Sequence, residues 1–210
     1  MFEVFRKNMP VSGKVANDYV EIGKMPADCK ELLLECGGNS YLDGAYTIHT
    51  FRDAIKWTEL LWAYFDGYKG EVVSFAHDWM GRQWCAPIRS NVKGIYMFDP
   101  ASQKSYCLDE TMHFFHDESL VNDRVDTLVV DFFESAKRYL KIENIKYDSC
   151  LGFKKSLSLG GREELTNYEV YDLEVYWDFE YQIKQQMNGF ADGKPVSKVR
   201  IQDFWALDSE

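Results

Sequence analysis

The sequence lacks the features that mark exported, disulfide-bonded or membrane-spanning proteins. Its five cysteines are an odd number and form no C-x-x-C pair, which argues against a disulfide framework and a zinc knuckle. No run approaches the ~20 apolar residues of a membrane span, and the opening MFEVFRKNMPVSGK has no signal-peptide core. We therefore expect a cytoplasmic protein whose cysteines are reduced and mostly buried.

Positive charge is also scarce. The 210 residues include 24 Lys and Arg against 34 Asp and Glu, which gives a formal net charge of −10. Proteins that bind nucleic acids or anionic membranes need clustered Lys and Arg, so the balance argues against both partners. It is compatible with a basic protein partner, and equally with acidity that only maintains solubility.

Apolar residues are plentiful, at 46% of the chain with 16% aromatics, which excludes a disordered chain. Helices are predicted over 53–65 and from Asp126 through DTLVVDFFESAKRYL, with Leu128, Phe132, Ser135 and Tyr139 on one side. Strands are predicted in EVVSFAHDW, GRQWCAPI, KGIYMFDP and SYCLD, the last two as a hairpin. This irregular order predicts an α+β fold, an antiparallel sheet with helices packed around it in one compact unit.

One segment combines acids with aromatic rings. From Glu163 to Gln182 the chain has seven acids and no Lys or Arg, interleaved with six Tyr, Trp and Phe. A strand would place the rings on one side and the acids on the other. A helix is favoured, because the pattern continues to Met187 and Asn188-Gly189 is a good helix stop.

The helical interpretation assigns each side chain to a face. Glu174 and Asp178 point outward, whereas an apolar arc that includes Val175, Trp177 and Phe179 packs on the core. Glu180 and Lys184 intrude on that arc, and as an i,i+4 pair they are expected to shield each other.

Two short patterns invite a chemical interpretation. In HFFHDE, His113 and His116 would be neighbours on a helix and within reach of one metal ion; the alternative is surface histidines near a loop. His77 lies near Cys85, as a Cys–His nucleophile requires, but the surrounding AHDWMGRQWCAP also fits two buried strands. Neither constellation is complete, so we predict no catalytic residue, no metal site and no cofactor. An enzyme that uses a pair of carboxylates as acid and base is not supported by any recognisable pair in the sequence.

Several stretches together resemble a known family. MPADCKELLLECGGNSYLDGAYTI and SFAHDWMGRQWC resemble the GAD-like domain. DFFESAKRYL and YDSCLGFKKSLSLGGREELTNYEVYDLEVYW resemble the C-terminal domain of type VI secretion DNase-immunity proteins. The matching residues there are Phe132, Phe133, Cys150-Leu151-Gly152-Phe153, Leu159-Gly160-Gly161, Asn167, Asp172 and Val175-Tyr176-Trp177. Tyr168 departs from the pattern, since the family more often has leucine there.

The resemblance implies three segments: a GAD-like domain over 1–110, an immunity-type C-terminal domain over 111–189, and an extension over 190–210. It implies a non-enzymatic immunity protein that binds and neutralises a cognate secreted nuclease toxin. The alternative is an interaction or regulatory module without a toxin partner, like the distantly similar SUKH superfamily. A small enzyme that uses His77, His113 or a carboxylate pair is a third hypothesis.

The acidic segment then has an expected role. A DNase presents Lys and Arg to phosphates, so an inhibitor with outward acids can occupy that basic surface. The predicted partner-binding residues are Glu163, Glu164, Glu169, Asp172, Glu174 and Asp178. The sequence leaves the identity of the toxin and the oligomeric state open.

Overall fold

A computed structural model describes residues 2–89 and 94–187 of the chain. The predicted helix stop at Asn188-Gly189 and the predicted extension over 190–210 lie outside the described residues.

The strands of the described residues form two antiparallel sheets. In this part of the chain, seven strands lie side by side in chain order in the main sheet, and two later strands pair with each other in a small second sheet. The strands are β1 (Val11–Lys14), β2 (Asn39–Tyr41), β3 (Tyr46–Ile48), β4 (Val72–Asp78), β5 (Gln83–Pro87), β6 (Ile95–Asp99), β7 (Lys104–Leu108), β8 (Ser149–Phe153) and β9 (Tyr168–Asp172). The predicted hairpin is confirmed as β6–β7, in which Met97 lies opposite Tyr106.

Helices surround the sheets, which confirms the α+β prediction. They are α1 (Glu3–Asn8), α2 (Ala27–Cys36), α3 (Phe51–Tyr64), α4 (Met112–Phe114), α5 (Leu120–Asn122), α6 (Arg124–Leu128), α7 (Val130–Leu140) and α8 (Leu173–Met187). A π-helical segment, Phe115–Ser119, joins α4 to α5. The predicted helix over 53–65 is therefore confirmed as α3, which begins two residues earlier.

The main sheet has a core on each face. Successive strand residues point to opposite faces, so Trp84 packs in one core and Cys85 in the other. The first core contains α1 and α2, with Phe5 and Leu32 fully buried. All five cysteines are free, and four of them are buried, as the sequence predicts.

The second core takes residues from both halves of the chain. Trp57 of α3 contacts Trp177 of α8 edge to face, at 5.8 Å between ring centroids. The Trp177 Nε1 donates a hydrogen bond to the Gly81 carbonyl at 2.7 Å, and the Trp79 Nε1 donates to the Leu128 carbonyl at 2.6 Å. The division at residue 110 remains a prediction, but the side chains on either side of it share one core.

The predicted helix from Asp126 differs from the structure in two respects. Val129 has a left-handed backbone (φ 52°), which breaks the segment into α6 and α7. The predicted face is wrong for Tyr139, which is 48% exposed, whereas Phe133 and Ala136 are buried. Packing of Phe133 against Trp79, at 5.3 Å between centroids, sets the rotation of α7.

We expect replacement of Gly161 by valine to lower the free energy of unfolding by about 1–3 kcal/mol. A Cβ at Gly161 would overlap the Lys155 carbonyl oxygen and lie 2.8 Å from the Ser156 oxygen. Gly23→Val is the control, because no atom lies within 4 Å of its Cβ position. Thermal melts of both variants provide the measurement. An unchanged melting temperature for Gly161→Val, with loss of partner binding, would instead make Gly161 a contact residue.

Candidate partner-binding site

Strand β9 and helix α8 position the acidic segment. β9 pairs with β8 so that Asp172 lies opposite Ser149, and α8 begins at the next residue. The Asp172 Oδ1 accepts hydrogen bonds from the backbone N–H groups of Glu174 (2.9 Å) and Val175 (3.0 Å). Asp172 therefore caps the N-terminus of α8, a structural role that the sequence interpretation missed.

The acidic segment is a helix over 173–187, as predicted, but its orientation differs from the expected one. The buried side chains are Leu173, Tyr176, Trp177, Glu180 and Ile183. Val175 is 44% exposed, so its predicted place in the core is wrong. The helix is rotated because the Trp177 indole must reach the Gly81 carbonyl in the second core.

The expected pairing of Glu180 with Lys184 is also wrong. The Glu180 Oε2 accepts a hydrogen bond from the Ser156 hydroxyl at 2.7 Å, and the Lys184 Nζ donates to the Tyr64 carbonyl at 3.2 Å. Each side chain faces a different neighbour of α8, so they do not shield each other.

The six predicted partner-binding acids lie at or near the surface. Glu163, Glu164 and Asp172 are exposed, and Glu169, Glu174 and Asp178 are half-buried. They do not form one patch, since Glu163 and Glu164 precede β9 and the α8 acids follow it. At ~3.3 Å per residue, the strand alone separates the two groups by about 13 Å.

The two groups also differ in their surroundings. Near the start of β9, Arg162 pairs with Glu164 at 3.5 Å, and the Lys154 ammonium donates to the Thr166 carbonyl at 3.1 Å. At the start of α8, the ion pair of Glu174 with Lys56 of α3 leaves Asp172 and Asp178 without a basic partner among the described residues. Negative charge is therefore more concentrated at the α8 end.

Two further acids join the α8 end from distant parts of the chain. Asp53 of α3 and Asp148 of the segment before β8 line a cavity of about 60 Å³ together with Asp172 and Glu174. We call these four residues the acidic rim. Sequence reasoning missed Asp53 and Asp148. The packing of α3 against the start of α8 brings Asp53 there, and the pairing of β8 with β9 brings Asp148 beside Asp172.

Two buried histidines lie at the floor of the cavity. His49 and His77 are 0% and 2% exposed, and their rings stack at 5.2 Å between centroids. Burial lowers the pKa of His49 to about 4 and lowers the pKa of His77 well below its usual value, so both are neutral near pH 7. The His49 Nε2 lies 2.8 Å from the Gln83 Oε1, while the Nδ1 atoms of both histidines have no hydrogen-bond partner.

The sequence hypothesis of a metal at His113 and His116 does not fit the geometry. His116 is fully buried, so the expected surface location is wrong for it. Its Nδ1 lies 2.8 Å from the Met112 carbonyl and its Nε2 3.0 Å from the Tyr46 hydroxyl. Both ring nitrogens are thus engaged. Within 2–89 and 94–187, no group of three or more His, Cys, Asp or Glu is placed to hold a metal ion.

The Cys85–His77 hypothesis is disfavoured for a different reason. Cys85 is fully buried opposite Ser74, whereas His77 pairs with Gln83 further along the β4–β5 ladder. Burial raises the pKa of the Cys85 thiol far above its usual range. The reactive thiolate is therefore suppressed, which is typical of a structural cysteine.

The part of the chain that the structure describes contains no helix long and apolar enough to span a membrane.

Residues 108–184 match the family described as T6SS immunity protein Tdi1, C-terminal. The crystal structure of Atu4351 from Agrobacterium tumefaciens superposes with a TM-score of 0.57, at 12% sequence identity, over 87% of this chain and 89% of that chain, which shows a common fold. No curated protein matches the chain. The GAD-like assignment of 1–110 remains a prediction. The match over 108–184 confirms the resemblance of this segment to the C-terminal domain of type VI secretion immunity proteins.

Proposed function

We propose that the chain is a non-enzymatic immunity protein, which binds a cognate secreted nuclease in the cytoplasm and blocks it. The family match over 108–184 is the main support for this proposal, because that segment contains all six predicted partner-binding acids. A type VI immunity protein must recognise a toxin, and the acidic surface of this segment is suited to a basic one.

The α8 end of the segment supports a basic protein partner in particular. Val170 and Val175 are 48% and 44% exposed, and they flank Asp172 in sequence. Carboxylates beside exposed apolar side chains can both steer a basic partner and contact it in the bound state. A nuclease carries the required Lys and Arg because it must hold phosphates.

Three of the residues considered for a catalytic or metal site also favour a non-enzymatic role. His77 and His116 are buried and neutral near pH 7, and Cys85 is a buried thiol. None of the three presents a reactive atom at the surface, where a nucleic acid or another large substrate would meet it.

The test begins with capture of the toxin. The purified protein is immobilised and exposed to lysate of its native strain, and the captured toxin is then purified and mixed with plasmid DNA. We expect the toxin to degrade the DNA and an equimolar amount of this protein to stop it. A captured toxin that leaves DNA intact would contradict the nuclease assignment. Failure to bind any toxin would favour the interaction module without a toxin partner.

We expect charge reversal at Glu174 and Asp178 to slow association with the toxin. Changing both to Lys should reduce the on-rate about tenfold at low salt and weaken its salt dependence, since outward charges steer encounter. The control is the same change at Asp126 and Asp131, which are exposed in the first turns of α6 and α7. Stopped-flow mixing at two salt concentrations gives both rates, with thermal melts to verify folding. Equal on-rates for folded wild type and the Glu174/Asp178 variant would show that these acids serve only solubility.

A further inference from the structure

The cavity below the acidic rim carries unbalanced negative charge. Within residues 2–89 and 94–187, Glu174 has a basic partner, Lys56, and the other three rim acids have none. Asp53 accepts hydrogen bonds from the neutral hydroxyls of Thr50 (2.6 Å) and Tyr147 (2.7 Å). Among the described residues, the Asp148 carboxylate accepts from the hydroxyl of Ser149, at 3.2 Å, and the Asp172 carboxylate accepts from backbone N–H groups. Since the floor histidines are neutral, the cavity has a surplus of three negative charges.

The histidines at the floor of the cavity include a buried hydrogen-bond acceptor that has no donor. The Gln83 Oε1 lies 2.8 Å from both the Ser74 hydroxyl and the His49 Nε2; because an amide oxygen can only accept, the His49 Nε2 donates to it. A neutral imidazole with its proton on Nε2 has a lone pair on Nδ1. That Nδ1 atom is buried and without a partner, and so is the Nδ1 of His77. Buried polar atoms are normally satisfied, which points to a donor that enters the cavity.

One cation already sits at the edge of the cavity. The Lys56 ammonium pairs with Glu174 and lies 5.9 Å from the centroid of the Trp57 ring, which also lines the cavity. Lys56 is itself an exposed side chain of α3, so it leaves the interior unfilled. The same carboxylate and indole surfaces suit a second cation.

We infer that this cavity receives the guanidinium group of one arginine side chain of the toxin. The volume of about 60 Å³ admits a group of a few heavy atoms, at ~10–15 Å³ for each water-sized group. Guanidinium has five N–H donors in a plane, which suits acceptors on the rim and the floor together, and it stacks on aromatic rings. It is also less strongly hydrated than ammonium, which favours entry into a half-closed site. The source of the arginine rests on the proposed function, whereas the preference for guanidinium does not.

The preference can be measured without the toxin. We expect N-ethylguanidinium chloride to bind the protein with a dissociation constant on the order of 10 mM, as for a small fragment. Two-dimensional NMR should show shifts of the Trp57 indole N–H and of the Nδ1 resonances of His49 and His77. Tetramethylammonium chloride has the same charge but no N–H donor, so it should leave the Nδ1 resonances in place.

A matched pair of variants locates the binding. Asp148→Asn with Asp172→Asn removes two rim charges, and asparagine still caps α8 at residue 172. In this variant the dissociation constant for N-ethylguanidinium should rise at least about fivefold. Asp126→Asn with Asp131→Asn makes the same chemical change away from the cavity and should retain the full response. Equal responses in the two folded variants, or an equal effect of tetramethylammonium on the Nδ1 resonances, would overturn the inference.

The captured toxin provides the second test. The Asp148/Asp172 variant should bind it about tenfold more weakly or worse, mainly through faster dissociation. One Arg→Ala variant of the toxin should bind the wild-type protein more weakly by the same factor. Its affinity should not fall further when it is mixed with the Asp148/Asp172 variant. If the wild-type protein inhibits the nuclease and the rim variant does so equally well, the inference fails and the proposed function stands. If no nuclease is bound, the proposed function fails, and the fragment titration still decides the chemistry of the cavity.

Discussion

Replacing Trp177 with alanine is expected to lower the free energy of unfolding by about 3–5 kcal/mol, the usual cost of truncating a buried Trp. Trp177 is 1% exposed, contacts the rings of Trp57, Tyr64 and Phe65, and donates its indole N–H to Gly81. The variant loses these contacts and leaves the Gly81 carbonyl without its donor. All four partners belong to the first 110 residues, so the change should destabilise both halves of the chain together.

Urea denaturation followed by fluorescence and circular dichroism tests this prediction. Val175→Ala is the control on the same helix; because Val175 is 44% exposed, it should cost within about 0.5 kcal/mol. Both variants should unfold in one transition that the two probes report at the same urea concentration. Two separate transitions for Trp177→Ala would show that the segments on either side of residue 110 fold as independent units.

The main features of the fold could be predicted because their signals are local. The β6–β7 hairpin follows from two strand patterns with a turn between them, and α3 follows from its 3.6-residue apolar period. The rotation of α8 could not be predicted in the same way. It depends on contacts with Gly81 and Ser156, which lie 96 and 24 residues from their partners on the helix. Apolarity alone placed Val175 inside. The helical pattern placed Glu180 on the core-facing arc but could not identify Ser156, in place of Lys184, as its partner.

The candidate site shows the same limit. The acids that line one edge of the cavity, Asp172 and Glu174, belong to a run that is evident in the sequence. Their neighbours Asp53 and Asp148 are single acids in unremarkable surroundings, and His49 belongs to no motif. The packing of α3 against the start of α8 and the pairing of β8 with β9 bring these residues together, and no spacing in one sequence specifies those contacts. The composition thus indicated that the candidate site is negatively charged. Only the structure showed that the negative charge is concentrated at the end of β9 where α8 begins.

The buried carboxyl group of Glu180 makes the stability of the folded protein depend on pH. Its side chain is 1% exposed, with Oε2 on the Ser156 hydroxyl and Oε1 without any partner. Burial, with a smaller contribution from the charge of Asp99, raises the pKa of Glu180 from 4.5 to about 7. The folded protein therefore favours the protonated acid, whereas the unfolded chain ionises it near pH 4.5.

The sign of the effect follows from proton linkage. Below about pH 4.5 Glu180 is protonated in both states and has no effect on the pH dependence. As the pH rises from there through 7, the unfolded state loses its proton first, so the folded state loses relative stability. A shift from 4.5 to about 7 corresponds to about 3 kcal/mol, at ~1.4 kcal/mol per pH unit, and the loss is complete above about pH 8.

We therefore expect Glu180→Gln to gain about 3 kcal/mol relative to the wild type between about pH 4.5 and pH 8.5, because glutamine does not ionise. Urea denaturation across this range measures the difference. His49, His77 and His116 have lowered pKa values, so they lower stability as the pH falls below about 6.5, but they are common to both proteins and cancel in the comparison. Asp178→Asn, which removes a half-buried carboxylate from the same helix, is the control for the loss of one negative charge. Parallel profiles for wild type and Glu180→Gln would mean that Glu180 remains ionised within the core and that another group satisfies its charge.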